Sequence, residues 1–275
     1  MSRKKVGLIG CGTIGSQLAM ALDSNKIRNA SIVAIFDVVE DNLQRLKSKL
    51  YTNPGAHSDF AEFLGSGADI VVEAASQDAV QKFGKTILET GKDMMIMSVG
   101  ALADRGLLAQ LLEVATSKSC RIYVPTGAIA GIDAIRSVKQ LLDSVMLTTT
   151  KNPKALAGAP FFETSNFNLE GITKSTIIYE GNAAEAVTAF PANVNVAAVL
   201  SLAGLGAEKT KVRIVADPHT ATNQHEIIAK GSFGEIIIKV NNVPSPGNPK
   251  TSFLAILSAI ECIRSICDDG MKIGS

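Results

Sequence analysis

The segment from Val6 to Gly15, Val-Gly-Leu-Ile-Gly-Cys-Gly-Thr-Ile-Gly, runs an apolar strand straight into a Gly-x-Gly-x-x-Gly turn and then into an apolar helix face of Ile14, Leu18 and Leu22. That order restricts the chain to one kind of beginning, the first strand, turn and helix of a parallel α/β sheet. Gly10 permits the tight turn, Gly12 keeps a side chain out of the space before the helix, and Gly15 lets the helix lie close on the sheet. The next apolar run, Ile32 to Phe36, ends at Asp37, 22 positions after the last glycine. A carboxylate at that distance accepts the hydroxyls of a ribose, and the amide groups of Thr13, Ile14 and Gly15 at the helix N-terminus face a diphosphate favoured by the macrodipole. The pattern predicts a nicotinamide-dinucleotide site. Because Asp37 repels a 2′-phosphate and is followed by Val38 and Val39 rather than by arginine, NAD is expected as cofactor, with NADP as the alternative through Arg45 and Lys47.

Up to Pro125, short β-branched runs alternate with helical stretches, the pattern of a doubly wound parallel sheet. Strands are expected at Lys5–Gly10, Ser31–Asp37, Asp69–Ala74, Asp93–Ser98 and Cys120–Val124, and helices near Thr13–Asp23, Glu40–Leu50, Gln77–Thr90 and Asp104–Ser117. Tyr51 to Ser58, with Asn53-Pro54-Gly55, reads as a surface loop. Beyond Gly127 the order changes to a helix over Gly131–Leu142, a strand over Val145–Thr150, a turn-rich stretch to Thr173 and a strand over Ser175–Tyr179. Two helices follow, from Asn182 and over Asn193–Ala203, then strands over Thr210–Ala216, Gln224–Lys230 and Phe233–Val240, the last two joined by Gly231-Ser232 as a hairpin. Adjacent strands after a βαβ half predict a second α+β domain on a mixed or antiparallel sheet. Asn241 to Lys250, with Pro244, Pro246 and Pro249, reads as a crossing linker to a helix capped by Thr251 or Ser252, with Leu254, Leu257, Ile260, Ile263 and Ile266 as its apolar stripe. The domain reading is a Rossmann domain over 1–127, completed by the C-terminal helix 251–275, and a substrate-binding and dimerisation domain over 128–250.

The chain's 27 basic and 26 acidic residues form no like-charge block, so neither nucleic acid nor a membrane surface is expected as partner. The four cysteines, Cys11, Cys120, Cys262 and Cys267, lack the spacing of a disulfide framework or metal cluster, and no metal is expected. No apolar run reaches the roughly 18 to 20 residues that span a bilayer. A cytoplasmic location is the expectation.

The later strand ends carry Glu73-Ala74-Ala75-Ser76 and Ser98-Val99-Gly100, where small residues leave room for a nicotinamide ring and substrate. Ala75 and Ser76 are therefore candidate cofactor contacts, and Glu73 reads as a solvated strand end, with the orienting of backbone groups as the alternative. The Glu-Lys-Pro that many sugar oxidoreductases carry at the second strand end is missing, so the proton-transfer group lies elsewhere. Three histidines are available, His57 in a loop, His219 in a turn and His225 on a strand, and residue pattern alone does not choose among them.

Taken together, Gly10 to Gly15, Glu73 to Ser76, Ser98 to Ala101, Gly127-Ala128-Ile129-Ala130-Gly131-Ile132-Asp133-Ala134, Phe190-Pro191-Ala192-Asn193-Val194-Asn195-Val196-Ala197-Ala198, His225-Glu226-Ile227 and Asn248-Pro249-Lys250-Thr251-Ser252 resemble the L-aspartate dehydrogenase family from one end of the chain to the other. Thr126 stands where that pattern has serine. The resemblance implies that Ala128 and Asn195 contact the cofactor, that His225 is the active-site histidine, and that the chain forms a homodimer through the second domain's sheet. It also implies L-aspartate, oxaloacetate and ammonia as small-molecule partners, an iminoaspartate intermediate, and a link to NAD biosynthesis. Lys151-Asn152 is a candidate for the substrate carboxylates. The competing readings are another two-domain reductase, of dihydrodipicolinate reductase type, and a non-catalytic NAD(H)-sensing regulator.

Overall fold

Alternation of β-branched strands with amphipathic helices builds the first of two compact units, formed by residues through Pro125 together with the C-terminal helix from Ile256 on; Thr126–Ala255 form the second. The computed structural model describes residues 3–165, 167–191, 195–268 and 270–271, residues 249 and 250 by backbone alone.

In the first unit, β1 (Lys4–Ile9), β2 (Ala30–Phe36), β3 (Gly55–His57), β4 (Ile70–Glu73), β5 (Asp93–Ile96) and β6 (Ile122–Tyr123) form a six-stranded sheet. Its order is β3-β2-β1-β4-β5-β6, every pairing parallel. The direction of winding reverses between β1 and β4, and a sheet of this kind takes its ligand outside the carboxyl ends of the strands at that point. The crossovers are α1 (Thr13–Asp23), α2 (Glu40–Lys47), α3 (Phe60–Leu64), α4 (Gln77–Glu89) and α5 (Arg105–Ser117). α1 buries Gly15, Leu18, Ala19 and Leu22, one helical stripe, against the sheet. α2 carries Glu40 and Asp41 in its first turn and Arg45 and Lys47 near its end, matching the helix dipole at both termini.

The loop expected over residues 51 to 58 instead contains β3, a three-residue edge strand that pairs Ala34 with Gly55 and Phe36 with His57. It is followed by α3, whose start is capped by Asp59 accepting the Glu62 N–H at 2.9 Å. What holds this edge is aromatic: Phe36, Phe60, Phe63 and Phe83 pack ring against ring.

The second unit opens with α6 (Ile132–Ser137), shorter than the sequence pattern suggests, and continues through β7 (Leu142–Lys151), α7 (Pro153–Leu156), α8 (Phe161–Thr164), β8 (Thr176–Asn182), α9 (Ala183–Ala189) and α10 (Asn195–Ala203). Then come β9 (Thr210–Ala216), β10 (Asn223–Gly231), β11 (Gly234–Asn242), β12 (Pro244–Ser245), β13 (Asn248–Ser252) and the closing helix α11 (Phe253–Cys267). The sheet order is β11-β10-β7-β9-β8, mixed because β7 and β9 run parallel while the other neighbours are antiparallel. The β10–β11 hairpin turns at Ser232-Phe233, one residue later than expected, since Gly231 still pairs with Gly234. The supposed linker over 241–250 is largely a small ladder of β12 with β13. α11 buries Ile256, Ala259, Ile263 and Cys267, the last three inside the first unit's core with Leu8, Leu22 and Ile27, and leaves Leu257 exposed. No helix among the described residues is long and apolar enough to cross a membrane.

Candidate active site

In each unit the candidate residues lie at strand ends. In the first unit, Gly10 follows β1 at φ +95°, a conformation glycine alone adopts cheaply. A Cβ there would approach the Ala74 carbonyl oxygen to 2.6 Å, and one on Gly15 would overlap the Gly10 carbonyl oxygen. A Cβ on Gly12 would meet no protein atom within 4 Å, so the demand for glycine at this position comes from outside the chain. α1 also begins without a side-chain cap, whereas Asp59, Ser76 and Asp104 cap α3, α4 and α5. An uncapped helix start with open space before it is what an anionic diphosphate requires, and the residues fit a dinucleotide.

Asp37 follows β2, and its carboxylate anchors the glycine turn: Oδ2 accepts the Cys11 N–H at 2.7 Å and Oδ1 the Val39 N–H at 2.8 Å. Each oxygen keeps acceptor capacity for a ribose hydroxyl. A crevice of 190 Å³ beside it brings together Gly10, Asp37, Val38, Ala75, Ser76 and Lys82, four of them candidates from the sequence. Cys11, inside the turn, is buried, and burial followed by the Asp37 charge pushes its thiol up to about 12. It stays a thiol.

Glu73 corrects the sequence reading: it is fully buried. Oε1 accepts the Ala75 N–H at 2.7 Å and the Ser98 hydroxyl at 2.8 Å, and Oε2 accepts the Ser98 N–H at 3.0 Å. Burial raises its pKa, and these donors work against that rise.

These contrasts give a first prediction. Gly12→Ala should leave the melting temperature within about 2 °C of wild type and raise the Kd for NADH about tenfold or more, each tenfold being ~1.4 kcal/mol. Gly15→Ala should lose both stability, by about 1–3 kcal/mol from overpacking, and binding. Calorimetry and NADH titration check both.

In the second unit, the odd-numbered residues of β7 and β10 share one sheet face. Val145 opposes Ala229, Leu147 opposes Ile227, and Thr149 opposes His225. The face is apolar until that last pair and polar beyond it: Lys151 and Asn223 extend it by one row, and Asn223 pairs with Asn242 of β11. His225 is 3% exposed and its Nδ1 lies 3.0 Å from the Thr149 hydroxyl. Burial, and then the Lys151 charge, lower the imidazole to about 3, far from its usual range. Lys151 is 4% exposed, and burial lowers its ammonium to about 8. Asn242 Nδ2 donates to the Ala128 carbonyl at 2.8 Å, so Ala128, in the Gly127 turn, is tied to the same polar end of the sheet.

Asn195 starts α10; Ala192, Asn193 and Val194 of its motif lie outside the described residues. The other histidines are elsewhere, His57 on edge strand β3 facing Glu62 at 3.6 Å and His219 beside the Thr173 carbonyl at 3.2 Å. Sequence reading missed Thr149, Asn223 and Asn242. Their signal was weak but present, polar residues at inward positions of strands that are otherwise apolar. Among the described residues, no group of three His, Cys, Asp or Glu side chains could hold a metal ion.

A doubly wound sheet with this turn and acid in one unit, and a buried imidazole and ammonium on one sheet face of the other, belong to a two-unit, nicotinamide-dinucleotide-dependent oxidoreductase. Residues 10–125 match the NAD-binding domain of homoserine dehydrogenase, and residues 133–266 match the C-terminal domain of aspartate dehydrogenase. The chain belongs to the aspartate dehydrogenase family, enzymes acting on the CH–NH2 group of an amino acid. It is 48% identical over 272 residues to the L-aspartate dehydrogenase of Nitrosopumilus maritimus, covering 99% of this chain and 100% of that one. It is 49% identical to that of Methanosarcina barkeri, covering 95% and 96%. The crystal structure of aspartate dehydrogenase from Thermotoga maritima superposes with a TM-score of 0.76 at 27% identity, over 98% of this chain and 99% of that one. GenD2 of gentamicin A biosynthesis, solved with NAD, shares the fold at 11% identity with a TM-score of 0.58, over 100% of this chain and 89% of that one.

Proposed function

We propose that the protein is an L-aspartate dehydrogenase that reversibly converts L-aspartate to iminoaspartate and then to oxaloacetate and ammonia, with NAD as preferred cofactor. One observation carries this reading: the likeness to L-aspartate dehydrogenases spans both units, including the second, where substrate recognition has to lie. In this reading the first unit, completed by α11, holds the dinucleotide through Gly10, Gly12, Thr13, Ile14, Gly15, Asp37, Ala75 and Ser76. Residues 128–250 bind substrate and form the dimer, with Ala128 and Asn195 also on the cofactor.

The bound nicotinamide supplies a hydride acceptor for C2 of aspartate. Everything else falls to the chain. Lys151, a buried cation, pairs with a substrate carboxylate. His225, held at Nδ1 by the Thr149 hydroxyl, presents Nε2 to the substrate amine and to the water that attacks the imine carbon. With its pKa lowered, the imidazole starts neutral, able to accept the water's proton. A bound dicarboxylate next to Lys151 offsets the smaller of the two causes that depress it, the positive charge, and so raises its basicity. Oxaloacetate forms when the carbinolamine expels ammonia; iminoaspartate that leaves before water attacks would feed NAD biosynthesis.

The homodimer reading rests on the outer face of the second sheet. There a row of Glu180, Arg213, Thr148, Glu226 and Lys239 lies beside a row of Lys211, Met146, Ile228 and Ile237. Ile237 is 56% exposed, a large apolar side chain on an open sheet face suited to a second copy.

The test is NADH absorbance on adding amino acids and either cofactor to the purified protein. NAD should be reduced with L-aspartate and not with alanine or glutamate, and NADP more slowly. Asp37→Ser should narrow the NAD over NADP preference about tenfold or more, because the carboxylate facing the 2′-phosphate is gone. Absence of turnover with aspartate and, in reverse, with oxaloacetate and ammonia would refute the assignment.

A further inference from the structure

We infer that Glu73 is a positioning residue for the nicotinamide half of the cofactor, tying the turn after β4 to the turn after β5 at a fixed spacing. The inference rests on the dinucleotide-binding reading of the first unit. Glu73 closes β4, the strand next to the reversal of winding, and its backbone carbonyl takes the Met97 N–H at 3.0 Å. Its side chain then does what the ladder no longer can: Oε1 holds Ala75 of its own turn and the Ser98 hydroxyl, and Oε2 holds the Ser98 N–H, 25 residues away in sequence. The two turns meet through one carboxylate. The residues that follow in each turn are small, Ala74 and Ala75 after Glu73 and Val99 and Gly100 after Ser98.

A doubly wound sheet binds a dinucleotide in two halves, the second nucleotide on the β4–β5 side. The adenosine end here has its own anchor in Asp37, bonded to Cys11 and Val39. An apolar residue at position 73 would satisfy β4 but leave the buried N–H and hydroxyl of Ser98 without their acceptor, and release the Ala75 N–H of the other turn. A carboxylate, with two acceptor oxygens, is the one side chain of this length that serves donors from both turns at once. Glutamine fails because its NH2 would point at an N–H donor.

The experiment is titration of Glu73→Gln and Ser98→Ala with NADH and with ADP-ribose, which lacks the nicotinamide, alongside melting temperature and kcat. For Glu73→Gln the Kd for NADH should rise about tenfold or more and kcat should fall, with ADP-ribose changed less than about threefold. Ser98→Ala, which keeps the N–H bond and loses the hydroxyl, should show a smaller shift of the same kind, and it decides the matter if Glu73→Gln does not fold. Parallel loss of both ligands together with melting temperature would make Glu73 a scaffold residue and overturn the inference, as would unchanged NADH affinity and kcat. Wild-type protein that binds neither ligand would instead refute the dinucleotide reading itself.

Discussion

His225→Ala should lower kcat for aspartate oxidation by about 10²–10⁴-fold, the range a positioned acid–base group contributes, while NADH binds within about threefold of wild type. The side chain sits on an inward strand position beside Thr149 and Lys151, in the second unit, whereas the glycine turn and Asp37 belong to the first. Removing it therefore leaves the first unit's nucleotide anchors untouched. Thr149→Val, close in shape but without the hydroxyl, should reduce kcat less, about tenfold, by releasing Nδ1 and with it the ring's tautomer. The pH profile adds an independent check. With the imidazole lowered to about 3 by burial and the Lys151 charge, kcat/KM of the free enzyme should show no inflection near the usual histidine value of ~6.5. Wild-type turnover by His225→Ala would remove the residue from the mechanism.

The same shift has a consequence for stability. The folded-state value lies below the unfolded one, so the contribution of neutral His225 is complete above roughly pH 6.5 and is lost as pH falls from there toward about 3. Acid unfolding of the second unit should begin in that window, and a variant with an apolar residue at 225 should resist it.

What could be read from the sequence follows from how local each signal is. α1 and β9 occupy the expected spans, Thr13–Asp23 and Thr210–Ala216, because glycine chemistry and β-branched runs act over a few residues. β3 escaped because it is three residues long and its first, Gly55, belongs to the turn signal Asn53-Pro54-Gly55, so that only pairing with β2 makes it a strand. The ladder of β12 and β13 escaped for the opposite reason, since prolines at 244 and 249 suggest a linker, yet a two-stranded ladder tolerates them at its edges. In α11 the expected stripe placed Leu257 inward, whereas Ala259 and Cys267 take the buried positions; a face set by close approach to the core favours small residues. The site shows the same division. Asp37 and the glycines are spaced by local geometry, and reading along the chain finds them. Burial of Glu73 depends on donors at Ser98, and the state of His225 depends on register with Thr149, 76 positions away, and on Lys151. Neither register nor desolvation is visible one residue at a time.

Lys151→Met tests the proposed carboxylate partner, and its effects on stability and binding should have opposite signs. Burial lowers the ammonium to about 8, below its ordinary 10.5, so the charged form costs the folded state at neutral pH. Methionine fills similar volume without that cost, and the melting temperature should hold or rise. Affinity for a dicarboxylate without an amine, such as succinate, should fall about 30-fold or more, since truncating one partner of a buried charge pair costs about 2–5 kcal/mol. The wild-type pH dependence follows from the same group. Succinate should bind with constant affinity below pH 8 and progressively more weakly above it, as the free enzyme's Lys151 loses its proton, whereas the variant's weak binding should not change there. A buried lysine lowers stability, a cost that fits a charge used in binding, as active sites trade stability for function. If Lys151→Met bound succinate as tightly as wild type at pH 7, the carboxylate would have to be held by other groups, and the positive charge that depresses His225 would have no role in substrate recognition.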